Sequence, residues 1–335
     1  MRILMVGPHP PMRGGISAYT GQAVARLREL GHDVVVAAPE RGAGDHLLDL
    51  RRRGSGRALA ALAKPFDRVV VQFHPEFVSP PGANLLGRSL AMLRLGQGLR
   101  GARGLELCLH EVNYGAGPLA PVLQRAVRPV WNLADELTVH TQRERDDFAR
   151  AFRIDKARIR VVSQGEYMQP RISDDRAVAR AALGLPEDEL VLVSIGFLQP
   201  NKGFDRAIRA FGEAAPPARL YVVGSVWRDD PELVAHIEEL RRLAAATPGV
   251  ELREGYLDDD GFDRWIVASD ALVLPYRQGW SSNVMERGLL YHRPVIMSQV
   301  GGMAEQGDNR PGVTLISSDS ELVGAVRQTV ENLVS

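Results

Sequence analysis

Hydrophobic positions in this chain fall into two alternating rhythms. Short apolar runs predict strands: "RILMV" (Arg2–Val6), "VVVAA" (Val34–Ala38), "RVVVQF" (Arg68–Phe73), "LELCL" (Leu105–Leu109) and "LTVH" (Leu137–His140). Segments between them carry apolar residues at helical spacing, as in "ISAYTGQAVARLREL" (Ile16–Leu30), which Gly31 and His32 close. Continuous apolar strands separated by helices predict a parallel sheet covered on both faces. The rhythm lapses over Met168–Glu189, where one short helix sits among turn residues. It restarts with "LVLVSIGF", "RLYVVG", "DALVLPY" and "VTLIS" (Val313–Ser317) and ends on a helix over Asp319–Val334. The expected fold is α/β, with two doubly wound Rossmann-like domains, 1–168 and 190–335, joined by a linker over 169–189 and facing across a cleft.

Composition agrees with this picture. A chain of 335 residues suits two domains, and 45% apolar with 24% charged residues is ordinary for a globular protein. The zero net charge hides an asymmetry. Residues 1–168 hold 24 Lys and Arg against 16 Asp and Glu, and the remainder is acidic by the same margin. Either the two halves meet different partners, or a solvated surface simply scatters its charge this way. Cys108 is the single cysteine and lies in an apolar run, which fits a buried, reduced thiol and the cytoplasm. Met1–Val6 is followed at once by "GPHPPMRGG", so no secretory leader is expected, and no apolar run is long enough to span a bilayer. Only Lys64, Lys156 and Lys202 are lysines in a chain that otherwise uses arginine.

Four loops at predicted strand ends are places where chemistry can sit. In "GPHPPMRGGIS", Gly14 and Gly15 allow close approach of a ligand to a helix start, although a plain tight turn fits equally and the dinucleotide spacing is absent. In "GFLQPNKGFDRAIRAF", Lys202 stands between a strand and a helix, where it can meet a diphosphate as a point charge or be solvated. In "PYRQGWSSNVMERGLLYHRPVIM", Ser281, Ser282 and Asn283 are good helix starters. Asn283 and Glu286 there have the spacing of a capping box, so Glu286 reads as a cap or as a ligand hook. His110, in "LHEVNY", shares a strand-end position with His74 and His140. Three such histidines raise the question of a metal, but no close ligand spacing supports one, so no metal is expected. Serine and thiol nucleophile motifs are missing as well.

In this order the loops resemble the family-4 retaining glycosyltransferases of the GT-B fold. The resemblance runs from "PHPPMRGGISAYTGQAVARLRELGHDVVV" through "RAALGLPEDELVLVSIGFLQPNKGFDRAIRAF", "ARLYVVGS" and "VELREGYLDDDGFDRWIVASDALVLPY" to "PVIMSQVGGMAE". It implies transfer of a sugar from a nucleotide diphosphate donor with retained anomeric configuration. By position, Lys202 matches the lysine that holds the donor diphosphate, and Glu286 the glutamate that binds the ribose hydroxyls. Ser281 and Ser282, with Asn283 beside them, match the loop whose N–H groups approach phosphate and sugar. Gly14 and Gly15 match the glycine loop that closes over the diphosphate, and His110 a histidine near the donor sugar. Two positions depart from the family: Gln278 stands where a glutamate contacts the sugar, and Phe197 where an arginine is common.

The implied reaction needs no cofactor beyond its nucleotide-sugar substrate and no metal. Lys202, His110 and Gln278 are its candidate catalytic residues. Two alternatives stay open: a weakened GT-B protein that binds nucleotide sugar or a partner transferase without turnover, and a nucleotide-sugar epimerase. Donor sugar, nucleotide base and acceptor are not legible. The basic first half makes an anionic or lipid-linked acceptor, rather than nucleic acid, the expected partner. "NLLGRSLAMLRLGQGLRGARG" (Asn84–Gly104) reads either as a helix on the inner membrane surface or as an ordinary half-buried one.

Overall fold

The computed structural model describes residues 1–112, 117–226 and 231–334, and the chain divides into two compact units, 1–168 and 169–335. The first unit holds a seven-stranded sheet built from β1 (Arg2–Val6), β2 (Asp33–Ala38), β3 (His46–Leu47), β4 (Arg68–Phe73), β5 (Leu105–Leu109), β6 (Glu136–Val139) and β7 (Ile159–Val161). Its order is β3-β2-β1-β4-β5-β6-β7 and every pair is parallel. The second holds β8 (Leu190–Ile195), β9 (Ala218–Gly224), β10 (Val250–Glu254), β11 (Ala271–Leu274), β12 (Val295–Ser298) and β13 (Val313–Ile316) in the parallel order β10-β9-β8-β11-β12-β13. Both sheets are doubly wound, as the alternating rhythm predicts. Strand order reverses between β1 and β4 in one and between β8 and β11 in the other. Loops leaving the carboxyl ends of such a pair diverge to opposite faces and leave a crevice for ligand.

Both faces of the second sheet are apolar. Leu192, Val222, Val273 and Ile296 pack under the helix Phe204–Ala214, whose Phe204, Ala207, Ile208 and Phe211 recur at helical spacing. Val193, Tyr221, Leu274 and Met297 pack on the other side with Trp265 and Tyr291. Each such side chain stabilises the unit by roughly 1.5–3 kcal/mol relative to exposure.

The first sheet departs from the continuous apolar strands expected of it. One face is uniformly apolar, with Val69, Val71, Leu105, Leu107, Leu137 and Val139 beneath Trp131 and Phe148. The other, from β4 to β6, buries Gln72, Glu106, Cys108 and Thr138. Strand alternation produces this, because polar residues every second position point one way. Glu106 is tolerated there because its carboxylate accepts from Arg68 at 2.6 Å and Thr138 at 3.1 Å.

The segment 169–189 is anchored to the second unit rather than being a free linker. Arg180, on the helix Arg176–Leu183, is 2% exposed and donates to Asp270 and to the carbonyls of Ala268, Pro186, Glu187 and Glu189. Among the described residues, no helix is long and apolar enough to cross a membrane.

Candidate donor site

The loop after β8 and the loop after β11 start from neighbouring strands at the second sheet's reversal, so Lys202 and the Gln278–Glu286 stretch are built side by side. Lys202 ends a short 3-10 turn, Pro200–Lys202, and Gly203 follows with φ 70°. A Cβ on Gly203 would lie 2.1 Å from the Pro275 carbonyl oxygen, so only glycine lets the lysine turn reach the β11 loop. Hydrogen bonds fasten that approach. The Arg277 N–H donates to the Asn201 carbonyl at 2.8 Å. The Arg277 guanidinium donates to the Pro200 carbonyl and grips Asp205 at 2.7 and 2.6 Å. This fork holds the Asp205 carboxyl below its ordinary pKa against the opposing effect of burial. The Lys202 ammonium sits 4.0 Å from the centre of the Tyr276 ring, a cation–π contact that sets its position. The Tyr276 hydroxyl is buried and has no hydrogen-bond partner among the described residues. Gln278 is exposed beside this turn, with its backbone N–H directed at the Asn201 carbonyl.

The capping box expected of Asn283 and Glu286 does not form. Ser282 is the N-cap of the helix Asn283–Leu290, its hydroxyl accepting from the Met285 N–H at 3.2 Å. Glu286 lies one residue too deep to reach back. Its buried carboxylate accepts instead from Gln306 at 3.1 Å and from both terminal nitrogens of Arg310, at 3.0 and 3.4 Å. Gln306 also spans Ser282, accepting its N–H at 2.7 Å and donating to its carbonyl at 3.1 Å. The Asn283 amide nitrogen is buried without a partner among the described residues, a donor left for something the chain does not supply. Ser281 lies half-buried ahead of this helix.

In the first unit Gly14, with φ 134°, precedes the helix Gly15–Glu29, which lacks a side-chain cap and any acidic residue in its first turn. Such a bare N-terminus favours an anion. His110 and His140, at the ends of β5 and β6, bond to each other, while His74 pairs with Glu111. Cys108, His110 and His140 bring ligand-type atoms within 4.8 Å of one another, a proximity that spacing along the chain does not reveal. The ring nitrogens already have hydrogen-bond partners. His140 Nδ1 donates to the Val162 carbonyl, and its Nε2 lies 3.2 Å from His110 Nδ1. His110 Nε2 lies 2.7 Å from the Gln72 amide oxygen. "LHEVNY" runs on through Asn113 and Tyr114, which lie outside the described residues.

Burial pushes the Cys108 thiol up to about 12 and His140 down to about 4. Burial, together with His140 and His74, pushes His110 well below its usual value. An ordinary histidine in the unfolded chain takes its proton near pH 6.5. From there down to about 4 the unfolded chain binds more protons than the folded one, so stability falls as the pH drops through that window and is unaffected by these groups above it. The thermal midpoint of the full chain is expected to decline over that range, and His140→Gln is expected to flatten the decline. Equal slopes in the two proteins would refute the assignment.

Comparison with known proteins follows the same division. The model described as "Glycosyl transferase 4-like domain" matches residues 14–165, and "Glycosyl transferases group 1" matches residues 189–332. The chain belongs to the GT-B glycosyltransferases. The D-inositol 3-phosphate glycosyltransferase of Mycobacterium sp. (strain KMS) is 30% identical over 228 residues, which are 66% of this chain and 49% of that protein. Its counterpart in Nocardioides sp. is 30% identical over 215 residues, 59% of this chain and 46% of that one. The chain thus spans about half the length of the curated relatives it matches. Among solved structures, Anabaena HepE in complex with UDP-glucose has a TM-score of 0.71 at 16% identity, over 99% of this chain and 90% of that one. Sucrose-phosphate synthase from Thermosynechococcus elongatus has a TM-score of 0.72 at 18% identity over the same shares. These likenesses show the fold. Sequence motifs draw attention to Lys202 and Glu286; Gln306 and Arg310 lie between β12 and β13 and have no motif to announce them.

Proposed function

We propose that this chain transfers a glycosyl unit from a nucleotide diphosphate sugar to an acceptor hydroxyl, with retention and without a metal. The observation that carries the proposal is the pairing of the Lys202 turn with the Gln278–Glu286 loop at the sheet reversal, held by Gly203 and the Arg277–Asp205 fork. In the reaction the bond from C1 to the diphosphate oxygen breaks and a bond from C1 to the acceptor oxygen forms on the same face. The acceptor's proton passes to an oxygen of the leaving diphosphate, so no protein base is needed. Lys202 and the helix start at Ser281–Asn283 stabilise the departing charge from the second unit, and Gly14–Gly15 is the first unit's own anion-favouring helix start. Because Gln306 occupies the Ser282 N–H, that group's share depends on exchange of this bond.

Gln278 serves the sugar hydroxyls as donor and acceptor but brings no charge to the developing oxocarbenium ion. His110 is the first unit's residue for the sugar, and the two bonds on its ring hold its orientation. Glu286 takes the ribose. The names of the family neighbours suggest where to begin: uridine diphosphate sugars as donors and a phosphorylated polyol as acceptor. The latter agrees with the basic first half. Incubation with a panel of nucleotide sugars is expected to release free nucleotide only when acceptor is added. Release without acceptor would favour an epimerase or hydrolase, and binding without release a weakened protein.

The first unit also presents a surface suited to an anionic membrane. The helices Leu85–Leu99 and Ala120–Trp131 contain no acidic residue; they carry Arg88, Arg94, Arg125 and Arg128. The first buries Met92, Leu95 and Leu99 while leaving Leu86, Leu90 and Leu93 exposed, and Val122 of the second is exposed as well. Exposed apolar side chains on helices whose charged residues are all arginines fit lipid headgroups and the acyl boundary. The protein is expected to float with vesicles containing phosphatidylglycerol and not with phosphatidylcholine alone, and Leu90→Asp is expected to abolish flotation. Equal recovery with both vesicle types would count against the anionic surface.

A further inference from the structure

We infer that Arg310 is a positioning residue that sets ribose recognition in this chain by holding the Glu286 carboxylate in a single plane. The inference rests on the proposal that Glu286 takes the nucleotide ribose. Glu286 is 7% exposed on its helix, and a carboxylate buried to that degree needs hydrogen-bond partners for its oxygens. Arg310 supplies one through two nitrogens, Nη2 to Oε2 at 3.0 Å and Nη1 to Oε1 at 3.4 Å, and such a fork fixes orientation as well as charge. Gln306 fixes the remaining freedom, since its amide nitrogen meets Oε1 while its oxygen meets the N-cap Ser282. The carboxylate is thus braced from the β12–β13 connection, outside its own helix.

The geometry also says what the brace does to a ligand. A carboxylate offers about four acceptor positions. Oε1 is engaged by Gln306 and Arg310 and Oε2 by Arg310, whose side chain is itself 39% exposed. A vicinal diol arriving at this carboxylate meets oxygens whose direction is already set. A hydroxyl bonded to an ionised group contributes roughly 1.5–3 kcal/mol, which is about tenfold or more in affinity. Loss of the brace leaves the nucleotide's other contacts in place and removes this discrimination.

The experiment compares binding of UDP, ADP and GDP with their 2′-deoxy counterparts by calorimetry, in the full chain and in Arg310→Gln and Arg310→Lys. The native protein is expected to prefer its tightest ribonucleotide over the deoxy form by about tenfold. Both variants are expected to keep deoxynucleotide affinity within about twofold and to lose most of the preference, the lysine because it retains the charge without the fork. An unchanged preference in both variants overturns the inference, as does an equal loss of affinity for ribo and deoxy forms, which would mark a merely structural pair. If the native protein binds none of the three nucleotides, the donor-site proposal fails, and this inference falls with it. Binding with an unaltered preference overturns the inference alone.

Discussion

Replacing Lys202 by alanine is expected to lower turnover by about 10²–10³, the usual effect of removing one donor aimed at a developing negative charge. The turn that carries the lysine comes off the end of β8 and is clamped against the β11 loop, and its ammonium lies over the Tyr276 ring. Its cation–π contact with Tyr276 holds it there at little cost in hydration, because one side of the ammonium stays available. Phe197 stands where the family resemblance implies an arginine, so the proposed mechanism leaves Lys202 with more of the diphosphate charge. Donor affinity should fall together with turnover, since the diphosphate is charged both before and after transfer. Lys202→Arg should recover only part of the activity: the guanidinium is wider and planar and cannot act as a compact point charge. Unchanged turnover and donor affinity in Lys202→Ala, measured under single-turnover conditions, would remove the lysine from the mechanism. Its partial exposure means that the variant should fold normally, so a lost activity cannot be blamed on unfolding.

Arg180→Ala is expected to destabilise the second unit by about 3–5 kcal/mol, the range found when one member of a buried ion pair is removed. Arg180 and Asp270 are 2% and 5% exposed in their side chains and meet at 2.6 Å. Asp270 also accepts the Val191 N–H at 2.7 Å and pairs with Arg176. The same guanidinium satisfies carbonyls of Ala268, Pro186, Glu187 and Glu189, which belong to the starts of β8 and β11 and the segment leading into them. Its loss strands several buried acceptors at once and leaves Asp270 with Arg176 alone as a cation. Urea denaturation should show the loss as a lower midpoint, with a thermal midpoint lower by roughly 10 °C. Arg180→Lys should fall between, keeping charge without the fork. A variant as stable as the native chain would show that 169–189 is a linker after all.

Much of the fold was legible because its signals are local. Apolar runs of strand length and apolar residues at helical spacing each record a burial decision made within a few residues, and Gly31 and Gly203 mark ends where the backbone takes positive φ. The positions of Lys202 and Glu286 were legible through the order of motifs. Their surroundings were not. "NVMERG" reads equally well as a capping box, and only the seating of Ser282 at the N-cap, with Gln306 across it, showed that Glu286 faces Arg310. The polar face of the first sheet was overlooked because "LELCLH" and "ELTVH" look like apolar runs until their alternation is placed against a neighbour.

The chain's own pattern thus settled two parallel α/β units and their strand ends, because periodicity and glycine conformation depend on near neighbours. Which side chains meet was settled by packing. The pair of His110 with His140, the clamp of Arg277 on Asp205, the anchoring of 169–189 by Arg180 and the brace of Arg310 on Glu286 each join residues 24 to 90 apart along the chain. Such contacts arise when parallel strands bring distant loops to one edge, and their distances have no counterpart in local spacing.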